Sequence, residues 1–296
     1  MKNKLVIGTA NFGMAYGQGV NPEALSIGTI RNILQSANYY GISILDTAIS
    51  YGDASRKLGS LGLKSWDVIT KIPKIDTEIE KVDNWITNSV TKSLAVMKIP
   101  SFEAILIHNP NDVTGVKGRE LISSLKRAKE KGLTRKIGIS IYEKSDLEQA
   151  LDIFQPDIIQ CPFSILDNRM LQNNYLSKLS RLGIEIHVRS IFLQGLLIRD
   201  SENIPDDFKK FKSFWADWHL WLKSNKLQPV EACVRYVNSI SEINKIIVGV
   251  NSTLHMKEII NYYTKPPIYQ VPSWNSVNSV LKKELVDPRL WKKNKT

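Results

Sequence analysis

Cysteine is scarce in this chain: Cys161 and Cys233 are the only two among 296 residues, and they lie far apart. That argues against a disulfide framework and makes a reducing cytoplasm the expected setting. No apolar stretch reaches the roughly 18 residues that a membrane helix requires, so no membrane insertion is expected. The opening Met1-Lys2-Asn3-Lys4-Leu5-Val6-Ile7-Gly8 enters a strand-like run too quickly for a secretory signal. Histidine is sparse as well, at four, and neither His187 nor His219 has companion ligands at metal spacing. Zinc-finger spacing, basic heptads and aromatic ribonucleoprotein motifs are all missing. Acidic residues are outnumbered, 29 against 40 Lys and Arg, for a formal charge of +11. The excess is spread over helix-like segments, with local groups at 126–136 and at Trp291-Lys292-Lys293-Asn294-Lys295. It reads as a solvated basic surface, so no nucleic-acid partner is expected.

What is present is the makings of one large globular domain, with 43% hydrophobic and 23% charged residues. Eight short apolar runs read as strands: Leu5–Thr9, Ile44–Ala48, Val68–Ile72, Ala104–His108, Lys136–Ser140, Ile158–Cys161, Ile184–Arg189 and Ile246–Val250. They are rich in Ile, Leu and Val without clean alternation, as parallel strands buried on both faces are. Helical spacing marks 29–40, 82–97, 120–131 and 145–154 between them, and Gly41, Gly132 and Gly183 suit helix ends. Repeated strand–helix alternation predicts a single-domain (β/α)8 TIM barrel spanning 1–296, with a C-terminal tail from about 266. An open doubly wound sheet would want a glycine-rich phosphate turn opening a helix. Gly13-Met14-Ala15-Tyr16-Gly17-Gln18-Gly19 is glycine-rich, but Asn21 and Pro22 break any helix pattern directly after it. The aromatic row Phe211, Phe214, Trp215, Trp218 and Trp221 reads as one packed helix face.

Four residues carry the chemistry. Asp46, Lys71 and His108 end the second, third and fourth runs, and Tyr51 follows five residues after Asp46. On a parallel barrel they converge at one mouth. A carbonyl reductase must supply a hydride to carbon and a proton to oxygen. Tyr is a weak acid, with an ordinary pKa of about 10. A nearby ammonium from Lys71 would stabilise the phenolate, Asp46 would anchor that ammonium, and His108 would orient the substrate oxygen.

These motifs resemble the aldo-keto reductase superfamily over almost the whole chain. The family element appears as Asp46-Thr47-Ala48-Ile49-Ser50-Tyr51-Gly52, its strand-end Lys as Lys71 in Thr70-Lys71-Ile72, and its His as His108 in Leu106-Ile107-His108-Asn109-Pro110. The resemblance implies a catalytic tetrad of Asp46, Tyr51, Lys71 and His108, with Tyr51 as general acid–base. It also implies a nicotinamide cofactor, NADP(H) ahead of NAD(H), bound without a Rossmann fold. Ser140 and Gln160 match the residues that hold the carboxamide, while Ile141 replaces an Asn common in the family. Arg189 stands where an aromatic usually stacks on the nicotinamide; a planar guanidinium can stack too. Gly8, Thr9, Asp46, Ser190, Leu193, Gln194 and Gly195 complete that end. Gly249, Asn251, Ser252, Thr253, His255 and Glu258 match the region that takes the adenosine phosphate and adenine, with Asn251 in place of an Arg.

Two segments, 8–17 and 189–197, resemble a bacterial branch associated with surface polysaccharide biosynthesis, although Ala54 and Ser55 replace that branch's Ser-Glu pair. The expected activity is therefore an NAD(P)(H)-dependent interconversion of carbonyl and alcohol, on a small-molecule carbonyl, sugar or sugar-nucleotide substrate. A non-catalytic nicotinamide-binding redox sensor is the alternative.

Overall fold

The computed structural model describes residues 3–17, 23–76, 78–274 and 279–291. Asn21, Pro22 and the basic group Lys292, Lys293 and Lys295 lie outside them. Eight parallel strands close into a barrel: β1 (Leu5–Gly8), β2 (Ile44–Asp46), β3 (Asp67–Ile72), β4 (Phe102–Ile107), β5 (Thr134–Ser140), β6 (Ile158–Pro162), β7 (Glu185–Arg189) and β8 (Lys245–Gly249). Each pairs with its neighbour in sequence, and β8 returns to β1 with Gly8 opposite Gly249. The expected (β/α)8 barrel is therefore observed, with strand ends shifted by one or two residues. β4 stops at Ile107, so His108 stands just past the strand.

The helices form where an apolar stripe recurs at helical spacing. Ile27–Tyr39 is capped by Ser26, whose hydroxyl accepts from the Thr29 N–H, and it buries Ile30, Ile33, Leu34 and Ala37. Val82–Met97 buries Ile86, Val90, Leu94 and Met97. Gly41, Gly132 and Gly183 turn the chain from helix to strand at φ of +74°, +72° and +75°, a region other residues enter only with strain. The helix Ala54–Leu61 escaped the sequence reading because its buried stripe is only Ala54, Leu58 and Gly59. Helix Lys212–Ser224 carries the aromatic row, and Phe214, Trp215 and Trp218 are buried. Trp274 reaches it from the C-terminal segment, edge-on to Phe214, Trp218 and Trp221. Packing accounts for those rings, as expected.

Side chains alternate between the two faces of each strand. Leu45, Val68, Ile105 and Ile159 join the large core beneath the helices. Their neighbours Ile44, Ile69, Ala104, Leu106 and Ile158 form a separate apolar cluster, the plug inside the barrel. β5 contributes Gly138 to this layer. A Cβ there would come within 2.3 Å of the Ile158 carbonyl oxygen and 2.6 Å of Leu106 Cδ2. Gly138 thus leaves the space that Leu106 fills. Two residues beyond the plug come Asp46, Lys71, Ser140 and Gln160 on the same strands and His108 just past the end of β4, so the plug is the floor on which the mouth is built. Cys161 and Cys233 are buried and free. Among the described residues no helix is long and apolar enough to cross a membrane, and no group of His, Cys, Asp and Glu could hold a metal.

Gly138→Ala is expected to destabilise the fold by about 1–3 kcal/mol through overpacking of the plug. Urea unfolding followed by tryptophan fluorescence would measure it, and an unchanged midpoint would contradict this account of the floor.

Candidate active site

Asp46 closes β2 and Lys71 lies near the end of β3, both facing inward. The Lys71 ammonium donates to Asp46 Oδ1 at 2.6 Å and to the Thr47 carbonyl at 2.9 Å. Gln160 on β6 donates from Nε2 to the other carboxylate oxygen, Oδ2, at 2.7 Å. Both side chains of the pair are nearly sealed from solvent, at 1% and 5% exposure. Burial pulls the Lys71 pKa down, and the charge and hydrogen bond of Asp46 oppose that.

Tyr51 is placed by two turns that pack backbone to backbone. A Cβ on Gly13 would lie 1.9 Å from the Tyr51 carbonyl oxygen, and one on Gly52 would lie 2.3 Å from the Gly13 carbonyl oxygen. Gly52 also has φ of +49°. Only glycine allows this approach, and it sets Tyr51 over the barrel mouth. Its ring centroid is 5.4 Å from Lys71 Nζ and 6.1 Å from the His108 ring, which meets it edge-on. The sequence-predicted tetrad is thus brought together.

The electrostatics differ from the sequence expectation in one respect. Burial, then the Asp46 carboxylate, raise the Tyr51 pKa above its ordinary value; the Arg189 guanidinium opposes them. The ammonium of Lys71 is committed to Asp46, and of that pair it is the carboxylate that acts on the phenol. His108 is pushed down to about 4, by burial first and then by Lys71 and Arg189. At neutral pH, therefore, the mouth presents a protonated phenol and an uncharged imidazole.

A cleft opens beside Tyr51 and Asp46. Gly8 and Thr9 form one wall; Arg189, Ser190, Gln194 and Gly195 form another; Gly249, Asn251 and His255 close its far side. The Thr9 amide and hydroxyl both donate to the Asp46 carbonyl, at 2.9 and 3.0 Å, tying β1 to β2. Ser140 and Gln160 lie opposite one another in register and are buried in the floor. Leu193, Ser252, Thr253 and Glu258 are not part of the wall. Leu193 is buried, Ser252 caps the helix Thr253–Tyr263 by accepting from the His255 N–H, and burial raises the Glu258 pKa. Asn11, Tyr16 and Phe192 line the cleft; they lie in the 8–17 and 189–197 segments but were not singled out as site residues from the sequence. Asn11 joins the first and last loops, donating to the Val250 carbonyl and to Asn251 Oδ1 at 2.8 and 2.7 Å. Its sequence signals were its place in the 8–17 segment and a polar side chain just beyond a strand end; Tyr16 had only the former.

The loop after β7 is strained. Ser190, Leu193 and Gln194 have φ of +62°, +50° and +53°, and Gly195 has +92°. Such backbone persists where its surroundings hold it, commonly at binding sites. Two buried atoms have no hydrogen-bond partner among the described residues: His255 Nε2, on a residue that lines the cleft, and Gln160 Oε1, on the side chain bonded to Asp46 of the cleft wall. A carboxamide N–H suits Gln160 Oε1, and a ribose hydroxyl or phosphate oxygen suits His255 Nε2. The residues present therefore fit a nicotinamide dinucleotide.

The family model of the Aldo/keto reductase family matches residues 4–279. No curated protein matches the chain. Among solved structures, the holo form of the aldo-keto reductase AKR11C1 from Bacillus halodurans is 17% identical, with a TM-score of 0.69 over 98% of this chain and 94% of that one. The glycerol dehydrogenase AKR11B4 from Gluconobacter oxydans is 16% identical, with a TM-score of 0.69 over 90% of this chain and 88% of its own. At such identities these two show the fold alone. The family model spans barrel and cleft together, and the chain belongs to the aldo/keto reductase family, whose members are nicotinamide-dependent oxidoreductases that interconvert carbonyls and alcohols.

Proposed function

We propose that Asp46, Tyr51, Lys71 and His108 are this chain's catalytic residues and that Tyr51 is the general acid–base. The observation that carries this reading is the protonated Tyr51 phenol standing over a sealed Asp46–Lys71 pair at the edge of a cleft that fits a dinucleotide. The nicotinamide, when bound, supplies or accepts the hydride. Tyr51 donates a hydrogen bond to the substrate oxygen and then its proton. Neutral His108 donates a second hydrogen bond and fixes the oxygen's orientation. As negative charge develops on Tyr51, Lys71 and Arg189 are the cations positioned to stabilise it. The reverse oxidation uses the same groups, but a phenol whose pKa is raised must first give up its proton.

Ser140 and Gln160 would hold the carboxamide, Gly8, Thr9 and the 189–195 loop the nicotinamide end, and the 249–258 segment the adenosine phosphates. A helix start capped by Ser252 suits phosphate. We carry NADP(H) ahead of NAD(H) and a sugar or sugar nucleotide as substrate. Both rest on the sequence resemblance, and the basic net charge of +11 suits anionic ligands. Fluorescence titration with NADPH and NADH would decide the first. A panel of aldehydes, sugars and sugar nucleotides would decide the second.

Tyr51→Phe is expected to lower kcat/KM for carbonyl reduction by about 1,000-fold or more, as loss of a general acid does. The NADPH dissociation constant should stay within about threefold, since the ring remains. Comparable turnover in variant and parent would remove Tyr51 from proton transfer.

His108 should titrate with a midpoint near 4 in the NMR spectrum, assigned through a His108→Gln variant. An unfolded His takes up a proton near pH 6.5. Because the folded value is depressed, the unfolded chain binds more protons between those two values. Stability from this group is thus complete above pH 6.5 and is lost as the pH falls toward 4. A midpoint above 6 would contradict the neutral-donor role.

A further inference from the structure

Arg189 ends β7 and lines the cleft with Asp46 and Tyr51. Its Nη2 donates to the Ile141 carbonyl at 3.2 Å, its Nη1 reaches Ser190 Oγ at 3.5 Å, and its guanidinium carbon lies 4.5 Å from the centre of the Tyr142 ring. None of these partners is an anion. Among the described residues no carboxylate forms an ion pair with Arg189. The remaining residues of the chain contain no Asp or Glu.

A second guanidinium shows the contrast. Arg289 packs on the same Tyr142 ring at 4.3 Å, but it is paired with Asp287 at 2.6 Å and Glu143 at 3.2 Å. Of the two cations on Tyr142, Arg289 is balanced and Arg189, which lines the cleft, is not. The other ions at the mouth cancel, since Lys71 is spoken for by Asp46. One uncompensated positive charge therefore remains at the reacting centre, and its influence is felt by Tyr51, Lys71 and His108. A guanidinium has five N–H donors in a rigid planar fork. Stacking on Tyr142 and bonding to Ile141 position that fork and leave donors for a ligand.

We propose that Arg189 receives an oxyanion of the substrate, a carboxylate or phosphate carried a few bonds from the reacting carbonyl. This rests on the carbonyl–alcohol reading above and narrows it to acidic or phosphorylated carbonyl compounds. Arg189 is then a specificity-determining residue. The planar fork can hold such a group bidentately, which orients the carbonyl as well as attracting it. An uncharged substrate would leave the cation unanswered.

The test compares 4-carboxybenzaldehyde with its methyl ester, two aldehydes that differ mainly in charge, and adds the pair glucose 6-phosphate and glucose. The parent enzyme should prefer the anion of each pair by about tenfold or more in kcat/KM, chiefly through KM. Arg189→Met should bring at least one of these ratios close to one, and Arg189→Lys should keep part of it, since the charge survives without the fork. NADPH dissociation constants are measured on all three proteins. If Arg189→Met weakens NADPH as much as it weakens the acid, the anion is the cofactor's phosphate and the proposal falls. Equal losses for the acid and its ester also overturn it. If the parent reduces no carbonyl at all, the catalytic reading fails by itself. Calorimetry with 4-(hydroxymethyl)benzoate in the presence of NADP+ then decides the anion site: binding lost in Arg189→Met supports it, and binding absent from the parent or unchanged in the variant overturns it.

Discussion

The Asp46–Lys71 pair is the constraint on which the mouth of the barrel depends. Two charges withdrawn from water cost several kcal/mol each, and only good geometry with full hydrogen bonding offsets that. Here Lys71 reaches Asp46 Oδ1 and the Thr47 carbonyl, while Gln160 takes Oδ2. The Asp46 backbone carbonyl accepts from both the amide and hydroxyl of Thr9. One residue therefore ties β1, β2, β3 and β6 at a common height. Loss of either charge would leave the other buried alone, so the pair and the barrel top stand or fall together. The pair is formally neutral, so it is Arg189 that sets the net charge of the mouth.

Much of this was legible in the sequence for a simple reason. Strands buried on both faces are near-continuous apolar runs, so a polar residue at the end of one is conspicuous. Asp46 and Lys71 each lie two residues beyond a plug residue on the same strand, Ile44 and Ile69; Gln160, two beyond Ile158, was pointed to only by the family resemblance. His108 comes after Leu106 in the same way, just beyond the end of β4. The helix over 82–97 was readable to the residue because its stripe runs unbroken from Val82 to Met97. What escaped was whatever depends on loops meeting across the barrel. Asn11 and Asn251 are neighbours only because β8 closes onto β1. The effect of Lys71 on Tyr51 was anticipated from proximity, yet a sequence does not show that Asp46 has already answered the charge.

The two proton donors of the mouth are kept uncharged by related means. Tyr51 retains its proton because burial and a neighbouring carboxylate disfavour the phenolate. His108 sheds its extra proton because burial and two cations disfavour the imidazolium. Desolvation leads in both, and the plug of Ile69, Ala104, Leu106 and Ile158 beneath them contributes to it. The packing of the barrel interior and the protonation states of the proposed chemistry are thus one property seen at two heights.

Strain in the loop after β7 needs a counterweight, and the aromatic helix supplies it. Three non-glycine residues between 190 and 194 sit at positive φ, each a conformation costing of order 1–3 kcal/mol unless its surroundings impose it. Just beyond them, the Leu197 carbonyl accepts from the indole N–H of Trp218 at 3.1 Å, and Trp218 is itself fully buried and stacked on Trp221. Trp274 closes the cluster from the C-terminal segment and anchors to the Ile165 carbonyl. Rings outside the cleft lining thereby hold the end of the loop that forms it. The aromatic helix reads as plain core in sequence, and its packing is what allows Ser190 and Gln194 to keep their conformations beside Arg189.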